Sequence, residues 1–139
     1  MSATYLDASV ILRLLLREPG GLPDWQSPGV KVTSELAEVE CLRTLDRMRL
    51  TGPLTGEDAF KRRESLRGFL QGVWQVELTR PILQRAAQPL PVALGTLDAI
   101  HLSTALYWRE TQDEDLILAT HDQALAKAAR ACGIETKGT

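Results

Sequence analysis

Twice in this chain a short apolar run ends on an aspartate and passes at once into a helix-forming stretch, a pattern that restricts the fold more than any other feature. Thr4-Tyr5-Leu6 closes on Asp7 and leads into Ala8-Ser9-Val10-Ile11-Leu12. Leu116-Ile117-Leu118-Ala119-Thr120-His121 closes on Asp122 and leads into Ala124-Leu125-Ala126-Lys127-Ala128-Ala129. Each reads as a buried strand, a turn carrying an acid, then a helix. Buried strands alternating with helices form βαβ crossovers, so the expected fold is α/β with a mainly parallel central sheet. The turns beyond the carboxyl ends of such strands lie together and bind ligands. Acids far apart in sequence thereby come to share one pocket.

The intervening chain keeps the alternation. After the strand at 3–6, a helix is expected from Ser9 to about Arg17, stopped by Glu18-Pro19-Gly20-Gly21 and followed by a loop with Pro23 and Pro28. Val30-Lys31-Val32-Thr33 reads as a second strand, and Ser34 caps a helix to about Arg49, ended by Thr51-Gly52-Pro53. Thr55, with Asp58 three positions on, opens a helix to about Gly72 in near capping-box fashion. Gln75-Val76-Glu77-Leu78 alternates as a short strand, and Thr79 caps a helix from Arg80 whose Pro81 sits where a missing N–H costs nothing. Pro89 and Pro91 break the chain, Thr96 begins the helix that carries Asp98 to about Arg109, and Asp113-Glu114-Asp115 turns into the fourth strand. The last helix ends at Gly133, with Ile134-Glu135-Thr136 as a final edge strand.

With 139 residues the chain matches a single domain spanning 1–139, a size at which folding hides roughly 68–70% of the unfolded surface. No apolar run approaches the ~18 residues of a membrane span. The N-terminus enters the first strand without a basic stretch or apolar leader, so the expected location is the cytoplasm, with no membrane partner. Cys41 and Cys132 lack C-x-x-C spacing and read as small buried residues. His101 and His121 form no H-E-x-x-H, and no G-x-S-x-G marks a serine nucleophile.

Four acids therefore carry the functional signal: Asp7, Glu40, Asp98 and Asp122. Each also has an ordinary structural role. Asp7 and Asp122 precede helices as N-caps, and Asp98 in a first helical turn favours the dipole by about 0.3–1 kcal/mol. Glu40 shares its helix with Glu35 and Glu38, and the helical wheel does not choose between Glu38 and Glu40. Asp115 enters the fourth strand at its far end, some 13 Å from the turn of Asp122 at ~3.3 Å per residue. Converging carboxylates are hard oxygen ligands that suit magnesium or manganese, and their mutual repulsion raises the pKa of at least one member unless a cation offsets it. The matching chemistry is phosphodiester hydrolysis without a protein nucleophile. Net charge is −2, yet residues 43–67 carry seven basic side chains (Arg43, Arg47, Arg49, Lys61, Arg62, Arg63, Arg67) against four acidic ones. Such a segment is either a solvated helical surface or a dock for a polyanion.

Four stretches, Tyr-Leu-Asp7-Ala-Ser9, Thr-Ser34-Glu-Leu-Ala-Glu-Val-Glu40-Cys-Leu-Arg43, Leu-Asp98-Ala-Ile-His101-Leu-Ser-Thr-Ala-Leu and Ala-Thr120-His-Asp122, taken in order, resemble the motif series of PIN-domain ribonucleases, in particular the VapC-type toxins of bacterial toxin–antitoxin pairs. The resemblance covers essentially the whole chain. It implies a three-layer α/β/α PIN-like fold and an Mg2+- or Mn2+-dependent endoribonuclease. By the same resemblance Asp7, Glu40, Asp98 and Asp122 form the acidic metal site, which selects Glu40 over Glu38. Thr120 and Ser9 correspond to its supporting hydroxyls. A homodimer and a cognate antitoxin are implied as partners. The helical pair at about 34–49 and 56–72 matches the family's antitoxin groove, and Arg43, Arg47, Arg62 and Arg63 are its candidate RNA or antitoxin contacts. The alternative is a PIN-fold RNA- or antitoxin-binding module with negligible turnover. A receiver or phosphatase-like domain using Asp7 as phosphoacceptor requires a second acid beside it or a positioned lysine, and Ala8-Ser9 and Thr120-His121 supply neither.

Overall fold

The computed structural model describes residues 3–16 and 29–139. Five strands, β1 (Ala3–Leu6), β2 (Val30–Ser34), β3 (Trp74–Val76), β4 (Leu116–Ala119) and β5 (Glu135–Lys137), pair in parallel in the order β3-β2-β1-β4-β5. The connecting helices are α1 (Ala8–Leu15), α2 (Glu35–Thr51), α3 (Gly56–Leu70), α4 (Arg80–Ala86), α5 (Thr96–Gln112) and α6 (Gln123–Ala131). The chain runs outward from β1 through β2 to β3, then returns to lay β4 on the other side of β1. That reversal opens a crevice beyond the carboxyl ends of β1 and β4, the place where doubly wound sheets take their ligands.

Side-chain alternation along the strands divides the core in two. Ala3 and Tyr5 of β1, with Leu116 and Leu118 of β4, pack against Ile82, Leu102, Ala105, Leu125 and Ala129 from α4, α5 and α6. Leu6 and Ala119 face the opposite way, against Val10, Ile11, Ala37, Cys41, Leu66 and Leu70 from α1, α2 and α3. The result is the expected three-layer α/β/α arrangement. Among the described residues no helix is long and apolar enough to cross a membrane.

Local signals held best where a side chain meets a backbone group. Ser34 accepts from Leu36 N–H at 3.0 Å, and the Thr55/Asp58 capping box forms in both directions. Elsewhere tertiary contacts moved the boundaries. β3 occupies Trp74–Val76 instead of 75–78, because the Leu78 N–H leaves the ladder to donate to Glu35 Oε1 at 2.8 Å. Thr79 occupies the N-cap of α4 without making a side-chain cap, and its buried hydroxyl has no partner among the described residues. Helix α5 is capped by Gly95 and begins at Thr96, then runs one turn past Arg109 until Asp113 adopts a left-handed conformation at φ 50°. The breaker Glu18-Pro19-Gly20-Gly21, Pro23 and Pro28, and the expected helix end at Arg17, lie outside the described residues.

Leu118 is fully buried in β4, beside the central strand β1. Leu118→Ala is expected to lower unfolding free energy by about 2–5 kcal/mol, the range for an aliphatic core truncation. Urea denaturation measures this through a lower midpoint at unchanged slope.

Candidate active site

Register explains how distant residues meet. Leu6 pairs with Ala119, so the next residues in each strand, Asp7 and Thr120, emerge side by side past the sheet edge. There Thr120 Oγ1 donates to Asp7 Oδ2 at 2.5 Å and accepts from Asp122 N–H at 3.0 Å. Ser9 Oγ does the same on the other side, donating to Asp7 Oδ1 at 2.6 Å and accepting from His121 N–H at 3.0 Å. Asp7 Oδ1 also accepts from Val10 N–H at 3.2 Å and caps α1, while Asp122 Oδ1 caps α6 through Leu125 N–H at 3.0 Å. Two hydroxyls thus tie the β1–α1 turn to the β4–α6 turn.

The other two acids arrive from opposite helical layers. Glu40 lies in the second turn of α2 and Asp98 in the first turn of α5. With Asp7, Ala8, Ser9, Leu12, Thr44, His101 and Asp122 they line a cavity of about 210 Å³. All four acidic residues singled out from the sequence therefore border one space, with Ser9 on its wall and Thr120 buried just behind Asp7. Glu38 and Asp115 are not among the lining residues. The backbone carbonyl of Asp115 accepts from Ala3 N–H at the far end of the sheet.

Electrostatics single out Asp98. Its carboxyl is pushed up to about 6, first by burial and then by the charges of Asp122 and Asp7; His101 opposes the rise and Glu40 adds to it. No hydrogen bond donor reaches Asp98 among the described residues, so the repulsion is offset only in part. Burial, with Asp7 nearby, likewise holds the Tyr5 hydroxyl well above its ordinary value. Cys41 is pushed up to about 12 by burial and by Glu40, which makes it an inert core thiol.

The donor set is one of hard oxygens. Carboxylate oxygens facing a common space are the right chemistry for magnesium or manganese. Asp98, whose ionisation is disfavoured by its neighbours, is the member a cation would relieve most. Among the described residues, however, no three acidic, histidine or cysteine side chains stand close enough together to grip an ion as they are. In this arrangement both oxygens of Asp7 hold hydroxyls, and Glu40 Oε1 is engaged by His101. Among the described residues Asp98 keeps both oxygens uncommitted, and Glu40 and Asp122 one each, so the residues fit the group in kind.

Sequence reasoning missed His101 and Thr44. His101 follows Asp98 by three residues and so shares its helix face, a spacing that was available as a signal. Thr44 lies one turn beyond Glu40 on the same face of α2. The basic segment is more self-contained than its composition implied. Arg43 and Arg49 pair with Asp46, Lys61 with Glu57 and Arg67 with Glu64, all within their own helices. Arg47, Arg62 and Arg63 have no carboxylate partner among the described residues. Arg63 lines a groove of about 220 Å³ between α2 and α3 with Asp46, Arg49, Gly56, Ala59 and Phe60. Arg62 turns partly inward and its Nε is shut off from solvent.

Comparison with known proteins agrees with this geometry. The family model for the PIN domain matches residues 4–131. Ribonuclease VapC46 of Mycobacterium tuberculosis is 34% identical over 139 residues, covering 96% of this chain and 95% of the relative. Among solved structures, VapBC2 from Rickettsia felis bound to a DNA fragment from their promoter superimposes with a TM-score of 0.67 at 12% identity, covering 97% of both chains. A toxin–antitoxin complex from Klebsiella pneumoniae gives a TM-score of 0.63 at 14% identity, covering 92% of this chain and 93% of that one.

The Asp98 carboxyl has a pH signature. Its folded value exceeds the unfolded value of 3.8, so the folded protein binds the proton more tightly and loses stability as pH rises from about 4 through about 6. Asp98→Asn removes that titration. The variant is expected to melt a few degrees above wild type at pH 7.5, an effect moderated by partial solvent screening, with the gap closing toward pH 4. Paired thermal melts across that range measure it.

Proposed function

This chain belongs to the PIN domain family, and on that footing we propose that it is a metal-dependent endoribonuclease, the toxin of a toxin–antitoxin pair. The single observation that carries the reading is the cavity at the sheet's carboxyl edge bordered by Asp7, Glu40, Asp98 and Asp122. Asp7, Asp98 and Asp122, with Glu40, would hold Mg2+ or Mn2+. Such an ion polarises a phosphoryl oxygen and activates water for attack on the phosphodiester.

The chain's own residues prepare that chemistry. Thr120 and Ser9 donate to both oxygens of Asp7, fixing its plane. The same hydroxyls grip the backbone of His121 and Asp122, so the two acid-bearing turns keep their spacing. Glu40 Oε1 is taken by His101, which leaves Oε2 to accept a hydrogen bond from an attacking water. Arg43 and Arg47 extend from the helix that carries Glu40, one and two turns beyond it, and would steer an RNA backbone toward the acids.

The partner reading rests on the same footing. A toxin–antitoxin complex is among the structural neighbours, and the groove between α2 and α3, with Phe60 63% exposed beside Arg49 and Arg63, suits an antitoxin segment that offers apolar and acidic side chains. A homodimer is proposed by family analogy.

Purified protein incubated with total RNA is expected to cleave it with Mg2+ or Mn2+ and not with chelator. Asp98→Asn is expected to remove cleavage and relieve growth arrest on expression while the fold survives. Wild-type cleavage by that variant would refute the assignment. RNA binding that ignores metal, with no products after long incubation, would favour a binding module instead. Arg43→Glu combined with Arg47→Glu is expected to weaken RNA affinity and flatten its salt dependence, read by fluorescence anisotropy at several ionic strengths.

A further inference from the structure

Resting on the nuclease reading above, we propose that His101 is a positioning residue that holds the Glu40 carboxylate in the cavity, and that Tyr5 holds the ring in the orientation that allows it. Three side chains from three elements form one chain of hydrogen bonds. Tyr5 Oη of β1 lies 2.7 Å from His101 Nδ1 of α5, and His101 Nε2 lies 2.5 Å from Glu40 Oε1 of α2. Tyr5 is fully buried and His101 is 1% exposed, whereas Glu40 reaches the cavity wall.

Donor and acceptor accounting assigns the protons. A carboxylate has none to give, so Nε2 carries the hydrogen and donates to Glu40. A ring with that single proton has a bare Nδ1, which accepts from the Tyr5 hydroxyl. The ring packs edge-on against Tyr5, with centroids 5.8 Å apart and planes at 72°, so its orientation is set as well as its tautomer. A glutamate on a helix surface otherwise samples many rotamers, which would spread its oxygens over several ångströms. Anchoring Oε1 leaves Oε2 as the one oxygen free to act.

A histidine serving only the core would be satisfied by its surroundings within one layer. His101 instead bridges the two helical layers, and its outer partner is one of the four acids of the site. The arrangement is the carboxylate counterpart of the outer partners that orient histidine ligands, whose loss typically costs about 10–100-fold in affinity or activity.

Long-range 1H–15N correlation of the imidazole rings tests the tautomer with no nuclease assay. His101 is expected to carry its proton on Nε2 in wild type, and its Nδ1 resonance is expected to shift in Tyr5→Phe as the hydrogen bond from the hydroxyl is lost. In turnover, Tyr5→Phe and His101→Leu are expected to lower kcat about tenfold or more, with KM and RNA affinity in chelator unchanged. His101→Gln, which keeps an N–H near the same place, is expected to recover part of the loss. Tyr5→Phe is expected to cost nothing further in a Glu40→Gln background. A wild-type ring protonated on Nδ1, or a folded Tyr5→Phe protein with wild-type kcat, would overturn the proposal. Should the protein cut no RNA at all, the nuclease reading fails while the ring spectrum still decides the tautomer.

Discussion

The hydrogen bonds from Thr120 and Ser9 to the two oxygens of Asp7 are the interaction on which the rest of the site depends. They exist because β1 and β4 pair in parallel with Leu6 opposite Ala119, which delivers Asp7 and Thr120 to the sheet edge side by side. Each hydroxyl donates to the acid and accepts from the backbone of the neighbouring turn, so one carboxylate organises both acid-bearing loops. A buried carboxylate with donors on both oxygens is far less costly than a bare one. Asp7 therefore stays 4% exposed at the mouth of a cavity shared with three other acids.

Capping and ligand chemistry overlap here. Asp7 and Asp122 cap α1 and α6, and Asp98 lies in the first turn of α5, so three helix N-termini point toward one acidic cavity. Their partial positive charges offset some of the repulsion among the carboxylates. The offset is incomplete, since Asp98 remains pushed up to about 6. A site that is electrostatically costly by itself is the expected signature of function placed on an otherwise well-packed fold.

The polar groups that support the acids come from both layers of the fold. Glu40 rides on α2, packed with α1 and α3, while His101 and Asp98 ride on α5, packed with α4 and α6. Tyr5, His101 and Glu40 join the two layers through side chains. Helices α2 and α3 pack through Ala37, Cys41, Leu66 and Leu70, while ion pairs within each helix engage Arg43, Arg49, Lys61 and Arg67. Arg47, Arg62 and Arg63 have no carboxylate partner among the described residues, and Arg62 turns partly inward.

Much of this was legible along the chain, because period, capping and turn chemistry are local. Asp7, Ser34 and Thr55 could be placed at helix starts since each cap needs only a backbone N–H two or three residues away. Strand and helix alternation was enough to call for a parallel sheet, and the order of acidic motifs was enough to reveal family resemblance. Pairwise meetings were beyond reach: the pull of Glu35 on Leu78 N–H, the self-pairing of the arginines and the Tyr5–His101–Glu40 chain all join residues whose approach follows from strand order and layer packing. The choice of Glu40 over Glu38 shows the division most clearly. Sequence by itself determined that a carboxylate would stand on that helix and, through motif resemblance, pointed to Glu40; only the tertiary structure, by setting the rotation of α2 against the sheet edge and α5, gave the physical reason that Glu40 and not Glu38 borders the cavity.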